Sequence, residues 1–283
     1  MADVRPPIVG VPSELANPGD FSALTAKISR DRGFGCASYK DRCLRRRVAV
    51  RMRARGVHTY ADYARVLDTD AAEYDRLLDA LTINVTKLFR NWEVYDAMAA
   101  KVVPELFHRE QPAIRVWSAG CSSGDEPYSL GILFHRYAAT NGMLPQIGRV
   151  RIVGTDIDRR CLAAAERGEF DEADFADTPD ALRQRYFTPT PPFTVAQSIR
   201  DLVRFESRDL LREPAPAGPH DLIVCRNVLI YFDRDTQERL FDVFHAALAP
   251  IGFLVLGKVE TLLGPSRARF APVNARERIF RRL

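Results

Sequence analysis

Residues 114–130, Ile-Arg-Val-Trp-Ser-Ala-Gly-Cys-Ser-Ser-Gly-Asp-Glu-Pro-Tyr-Ser-Leu, pass from an apolar run through small residues into a helical pattern. The stretch predicts a strand, a tight loop and the start of a helix. Gly120 and Gly124, with Ser118, Ala119, Ser122 and Ser123 around them, leave little side chain in the loop, so a ligand can approach the backbone. Pro127 suits the first helical position, and Asp125 and Glu126 fall where a helix dipole favours carboxylates. Those two acids disfavour a phosphate and favour a ligand with a cationic end. Taken alone, such a loop is more often a purely structural strand-to-helix turn, and the rest of the chain must decide.

The chain has 283 residues, 46% apolar and 28% charged, enough for a small and a medium globular domain. Its strongly apolar runs, such as Phe253–Leu256, are too short to span a bilayer, and Met-Ala-Asp-Val-Arg-Pro-Pro at the N-terminus lacks an apolar signal core. A cytoplasmic protein without membrane insertion is expected. Five scattered cysteines without a CxxC pair suit reduced thiols, and five scattered histidines without HExxH spacing point to no metal site.

The net charge of +4 is unevenly spread. Between Lys27 and Arg55 eleven lysines and arginines face only Asp31 and Asp41. Leu44, Val48 and Met52 recur every four residues and predict a buried helical stripe, with Arg42, Arg45, Arg46 and Arg53 on another face. Such a basic face suits an acidic partner surface. Few interleaved aromatics and a pI of 8.8 argue against nucleic acid.

In order, the chain reads as an irregular proline-bearing lead-in over 1–20, a helical basic domain over 21–90, and an alternating α/β domain over 91–283. Helices are expected at Thr59–Leu67 and Ala71–Leu81. Strands are expected at Val150–Asp156, from Leu202 onward, at Asp221–Asn227 and at Phe253–Leu256, with Asp233 capping a helix and a hairpin over Ala268–Phe280. Residues of about 168–203 break the alternation and predict an inserted antiparallel β-subdomain with short β segments around the prolines and at Ser198–Val203. Ligands of open α/β sheets sit beyond the carboxyl ends of the strands, where Glu126, Asp156, Asp209, Arg226 and Asn227 collect. No GxGxxG is present, and Gly120 to Asp156 exceeds the roughly 20-residue spacing of a dinucleotide site, so NAD is disfavoured. Three carboxylates around one crevice suit a ligand with an amino group, ribose hydroxyls and an exocyclic amine, as in S-adenosylmethionine.

Four segments, Asn84-Val-Thr-Lys-Leu-Phe-Arg90, Val116–Ser129, Gly154-Thr-Asp-Ile-Asp158 and Cys225-Arg-Asn-Val-Leu-Ile-Tyr-Phe-Asp233, closely resemble the chemotaxis receptor methyltransferase family, CheR, in the same order. The resemblance implies a small all-α N-terminal domain before a Rossmann-like class I methyltransferase domain with an inserted antiparallel β-subdomain. It further implies methyl transfer from S-adenosylmethionine to a receptor glutamate, with S-adenosylhomocysteine as product. Carried over by position, Asn84, Thr86, Arg90, Gly120, Glu126, Asp156, Arg226 and Asn227 match cofactor contacts, and Asp209 and Leu210 match the adenine side. Arg90 and Tyr231 match the pair near the transferred methyl, and the basic helix with Arg42, Arg45, Arg46 and Arg53 matches the element that docks methyl-accepting receptors. Leu88, Asp125 and Asp209 depart from the family's phenylalanine, glutamate and asparagine. The proline-rich Thr188–Thr194 is short and lacks a glycine-containing turn, so a receptor tethering peptide is not expected; the chain is expected to act as a monomer. A methyltransferase for another target, or a protein that binds the cofactor without catalysis, stands as the alternative.

Overall fold

The computed structural model describes residues 18–82 and 84–283, and it divides into two compact units, 1–83 and 84–283. The irregular lead-in expected over 1–20 lies outside the described residues as far as residue 17. Helix α1 (Pro18–Arg32) already occupies its last three positions, because the apolar stripe of Phe21, Leu24 and Ile28 begins there and is buried.

In the first unit α1 is followed by α2 (Asp41–Ala54), α3 (Tyr60–Thr69) and α4 (Ala71–Leu81). Leu44, Val48 and Met52 of α2 are buried as their spacing predicts. Thr59 and Asp70 cap α3 and α4, their side chains accepting from the backbone N–H groups of Asp62 and Glu73. Glu73 is fully buried, yet it accepts from Arg51 Nε at 3.0 Å and Nη2 at 2.5 Å and from the Tyr63 hydroxyl at 2.8 Å. This pair fastens α2 to α4.

The second unit begins at Asn84, not near residue 90 as expected. The reason lies in its bonds: Asn84 donates to Asp158 at 2.7 Å, and Phe89 N donates to Ser129 Oγ at 2.8 Å, so residues 84–91 belong to the sheet domain. Helices α5 (Trp92–Lys101) and α6 (Val103–His108) lead into β1 (Ile114–Ala119), α7 (Asp125–Thr140), β2 (Val150–Asp156) and α8 (Arg159–Arg167). After the insert come β5 (Val203–Ser207), β6 (His220–Cys225), α11 (Arg234–Ala247), β7 (Leu248–Leu256), β8 (Phe270–Asn274) and β9 (Ile279–Arg282). Asp233 caps α11 through Thr236 N. The sheet order is β5-β2-β1-β6-β7-β9-β8; the first five strands are parallel and β9 runs antiparallel to both neighbours. Val116, Ile152, Leu222, Val224 and Val255 join the core beneath α5, α6 and α7, while Trp117 meets Phe244 of α11 with ring centroids 5.6 Å apart.

Three strand expectations shift. β6 ends at Cys225 instead of Asn227, because Asn227 turns to a φ of 61° and leaves strand geometry. β7 starts at Leu248 instead of Phe253, and residues 250–252 form an irregularity within the strand, with Ile251 at a φ of 55° and a register shift opposite His220–Leu222. The insert carries the expected small antiparallel sheet, β3 (Glu169–Phe170) with β4 (Phe193–Thr194), extended by an antiparallel Phe187–Val195 bridge, but α9 (Asp180–Tyr186) and α10 (Gln197–Arg200) stand in place of further strands. Burial explains this, since Leu182 and Tyr186 fall four apart on α9 and Arg183 sits over the rings of Phe175 and Phe193 at 4.7 and 4.5 Å. The β segment expected at Ser198–Val203 is instead a helical turn burying Ile199.

Changing Glu73 to alanine should lower the free energy of unfolding by about 3 kcal/mol, the cost of stranding Arg51 and the Tyr63 hydroxyl. Urea unfolding measures it.

Candidate active site

The loop after β1 is hooked over the end of β2. Gly120 N and Cys121 N both donate to Thr155 O, at 2.8 and 2.9 Å. Gly120 has a φ of +80°, and a Cβ there would stand 2.5 Å from Val228 Cγ2, so any other residue is strained and must displace the Val228 side chain. Ser122 N donates to Asp156 Oδ2 at 2.8 Å, and Asp158 N donates to Asp156 Oδ1 at 3.0 Å. Asp158 in turn caps α8 and accepts from Asn84 Nδ2 at 2.7 Å. Asn84, Ser122, Asp156 and Asp158 therefore form one connected set. Each oxygen of Asp156 keeps further lone-pair capacity for a ligand hydroxyl. Burial pushes the Asp156 carboxyl up, against the pull of the Asp158 and Ser122 amides.

Arg208 N donates to Asp156 O at 2.9 Å, which sets the end of β5 beside the end of β2. Asp209 follows; its Oδ1 accepts from Leu211 N at 2.9 Å and folds a turn that presents Leu210.

On the other side of the loop, Glu126 lies in the first turn of α7. Its Oε1 accepts from Ser118 Oγ at 2.8 Å, and its Oε2 stands 3.5 Å from Arg226 Nη1. Burial raises the Glu126 carboxyl's pKa, opposed chiefly by the Arg226 charge. Arg226, with a side chain 2% exposed, donates through Nη2 to Arg90 O at 2.7 Å and to Asn91 Oδ1 at 3.2 Å, and lies over the Tyr95 ring at 5.5 Å. Arg226 thus joins α7, the end of β6 and the segment that carries Arg90.

That segment is strained. Phe89 and Asn91 have φ of 52° and 59°, left-handed values that cost about 1 kcal/mol or more each in non-glycine residues and persist where the surroundings impose them. The Arg90 side chain donates to Val85 O at 2.7 Å, and among the described residues no carboxylate pairs with its guanidinium. Asn227 is held likewise: its N donates to Glu260 Oε2 at 3.1 Å, while Gly257 N and Ile230 N donate to the same carboxylate at 2.6 and 3.2 Å. Glu260, 4% exposed, thereby fixes the short 3-10 turn Leu229–Tyr231. Asn227 Oδ1 is buried without a hydrogen-bond partner among the described residues.

The sequence-derived residues Asn84, Arg90, Gly120, Glu126, Asp156, Asp209, Leu210, Arg226, Asn227 and Tyr231 thus fall at the carboxyl ends of β1, β2, β5 and β6 or on segments bonded to them. Thr86 is partly buried in the irregular stretch that follows Asn84. Arg42, Arg45, Arg46 and Arg53 belong to the other unit. Sequence reasoning passed over Glu260, Asn91 and Ser118. Glu260 lies 33 residues from its partner Asn227 in a stretch without a local pattern, so no sequence signal could have found it. The carboxylates of Glu126 and Asp156 and the orphaned Asn227 amide oxygen suit a ligand that carries an ammonium group and hydroxyls.

Two family models match the chain: CheR methyltransferase, SAM binding domain, over residues 84–279, and CheR methyltransferase, all-alpha domain, over 19–82. The chain belongs to the CheR methyltransferase family. Among relatives, it is 32% identical to the Chemotaxis protein methyltransferase of Listeria monocytogenes, over 90% of this chain and 95% of that one. It is 32% identical to Chemotaxis protein methyltransferase 1 of Pseudomonas aeruginosa, over 86% and 90% of the two chains. It is 33% identical to the Chemotaxis protein methyltransferase of Klebsiella aerogenes, over 87% and 84%. The chain is therefore a methyltransferase with a domain for S-adenosylmethionine, and the strand-end residues described above fit that cofactor. No helix among the described residues is long and apolar enough to cross a membrane.

Asp125, beside Glu126, differs from its sequence reading as a simple partner of the helix dipole. It is 1% exposed, its Oδ1 has no partner among the described residues, and burial pushes its carboxyl up to about 6. The folded state holds this proton to higher pH than the unfolded chain, whose aspartates titrate near about 3.9, so stability declines as pH rises from about 4 to about 6. Asp125→Asn should raise stability at pH 7.5 by up to about 3 kcal/mol and leave it unchanged near pH 4, read by thermal unfolding at the two pH values.

Proposed function

We propose that this CheR-family methyltransferase esterifies glutamate side chains of chemoreceptor cytoplasmic domains, giving glutamyl methyl esters and S-adenosylhomocysteine. The names of its relatives, chemotaxis protein methyltransferase, support the receptor as substrate. The observation that carries the choice of a carboxylate acceptor is Arg90: a guanidinium without a carboxylate partner among the described residues, on a strained backbone whose carbonyl is bonded to buried Arg226.

S-adenosylmethionine, when bound, supplies a methyl group on a sulfonium. A glutamate side chain is ionised at neutral pH, its reference pKa being about 4.3, so no general base is required. The work of the protein is positioning and charge placement. Arg90 holds the acceptor carboxylate, and Tyr231, at the end of the turn fixed by Glu260, orients it. Glu126 and Asp156 hold the ammonium and hydroxyl groups of the donor, Asp209 and Leu210 line its adenine side, and Asn84, Thr86, Gly120, Arg226 and Asn227 complete the cradle. Arg90 must not hold the acceptor too tightly, because ground-state affinity alone does not raise turnover.

Docking of an acidic receptor surface is assigned to α2. Arg42, Arg46 and Arg53 are exposed, and among the described residues no carboxylate pairs with them. Arg45 plays a smaller part, since it pairs with Asp41 at 2.6 Å and covers the Phe21 ring at 4.0 Å.

The reading is tested with methyl-labelled donor and receptor cytoplasmic fragments. Label released by mild base is expected from the wild type, as an ester requires; base-stable label or none would overturn the assignment. Arg90→Ala should cut transfer by about 100-fold or more while changing donor affinity only a few-fold, measured by calorimetry. Arg46→Glu together with Arg53→Glu should raise the KM for receptor about tenfold and weaken its dependence on salt, with kcat little altered.

A further inference from the structure

The turn of the insert at residues 174–178 is bonded to the segment 87–91. Leu88 N donates to Asp174 O at 3.0 Å, and Thr178 Oγ1 donates to Leu88 O at 3.4 Å. The two oxygens of Asp177 divide their work: Oδ2 accepts from Asn91 N at 2.8 Å and Oδ1 from Lys87 Nζ at 2.7 Å. Asp177 therefore closes a ring around Arg90, tying the residue three before it and the residue one after it to the same carboxylate.

The conformation so tied does not hold itself. Phe89 and Asn91 flank Arg90 at left-handed φ of 52° and 59°, and left-handed non-glycine residues persist only where neighbouring structure imposes them. Ser129 Oγ supplies one restraint by accepting from Phe89 N at 2.8 Å. On the C-terminal side, the restraint on the Asn91 backbone amide comes from the insert. The Asp177 carboxyl is held below the usual range: burial raises it, but Lys87, the Asn91 amide and the charge of Arg90 together lower it further. The side chain is thus an anion at neutral pH, suited to accept both bonds.

We propose that Asp177 is a positioning residue for Arg90, the insert serving as a clamp that holds the arginine between its two left-handed neighbours, Phe89 and Asn91. The role of Arg90 in transfer rests on the proposed function above; the clamp itself does not. The insert is in turn stiffened by Arg183, which sits over Phe175 and Phe193 and is paired with Glu172 at 2.6 and 2.5 Å, so its own packing bears on the catalytic segment. A surface ion pair between Lys87 and Asp177 with no wider consequence is the rival explanation.

Three variants separate the two. Asp177→Ala removes both bonds, Asp177→Asn keeps an oxygen that accepts from Asn91 N but loses the charge, and Lys87→Met removes the ion pair alone. Hydrogen exchange of a peptide covering residues 87–94 is expected to quicken about tenfold or more in Asp177→Ala and to stay within about threefold of wild type in the other two, with protection of β1 and β6 unchanged in all. With receptor fragments, kcat should fall about tenfold or more in Asp177→Ala while the KM for donor moves less than about threefold, and Asp177→Asn should restore it. Unchanged exchange at 87–94 in Asp177→Ala, equal impairment of the alanine and asparagine variants, or loss of protection throughout β1 and β6 would each overturn the proposal. If the wild type fails to label receptor at all, the functional reading fails, while the exchange result still decides the clamp.

Discussion

One buried guanidinium holds this site together. Arg226 has almost no exposure, yet it reaches the carboxylate of Glu126, the carbonyl of Arg90, the side chain of Asn91 and the face of Tyr95. A buried charge of this kind costs several kcal/mol in lost hydration and is repaid only by well-placed partners. Its return is geometric: residues from α7, the end of β6 and the segment before α5 are brought into one arrangement that none of them adopts alone. The left-handed residues on either side of Arg90 and the left-handed Asn227 beside Arg226 are each held by a backbone N–H that donates to a side chain distant in sequence.

Electrostatics follow from that arrangement. Glu126, Asp156 and Glu260 are carboxylates raised by burial, and the Arg226 charge is the chief cation acting on Glu126. A pocket with an excess of buried anions lowers its energy by accepting a cation, which is the character of S-adenosylmethionine. The same excess would repel a phosphate, in keeping with the two acids that open α7. Arg90 stands apart from this set: its guanidinium makes no ion pair with a carboxylate among the described residues, which suits the anionic acceptor proposed for it.

Much of this was legible in the sequence, for a physical reason. β2 and α4 span the residues that their patterns predict, because a buried parallel strand and an amphipathic helix each leave a periodic trace. The strand-end set was legible because the rule for open sheets places ligands there whatever the chemistry. The failures share a cause. The domain division at 83/84, the helices α9 and α10 within the insert, the end of β6 at Cys225 and the anchoring by Glu260 all depend on contacts between residues far apart in the chain. Asn84 belongs with Asp158, and nothing local in Asn-Val-Thr-Lys says so. Asp125 was read from its helix position alone, whereas burial decides its behaviour.

The central claim is that Glu126, held by Ser118 and Arg226, supplies the negative charge on which donor binding depends. Calorimetric binding of S-adenosylmethionine and S-adenosylhomocysteine to the wild type and to Glu126→Gln tests it most directly. Removing one anion while Arg226 stays should weaken S-adenosylmethionine by more than about tenfold, and the less positive S-adenosylhomocysteine by a smaller factor. Equal affinity of the variant and the wild type for the donor, in a protein whose thermal unfolding is intact, would contradict it.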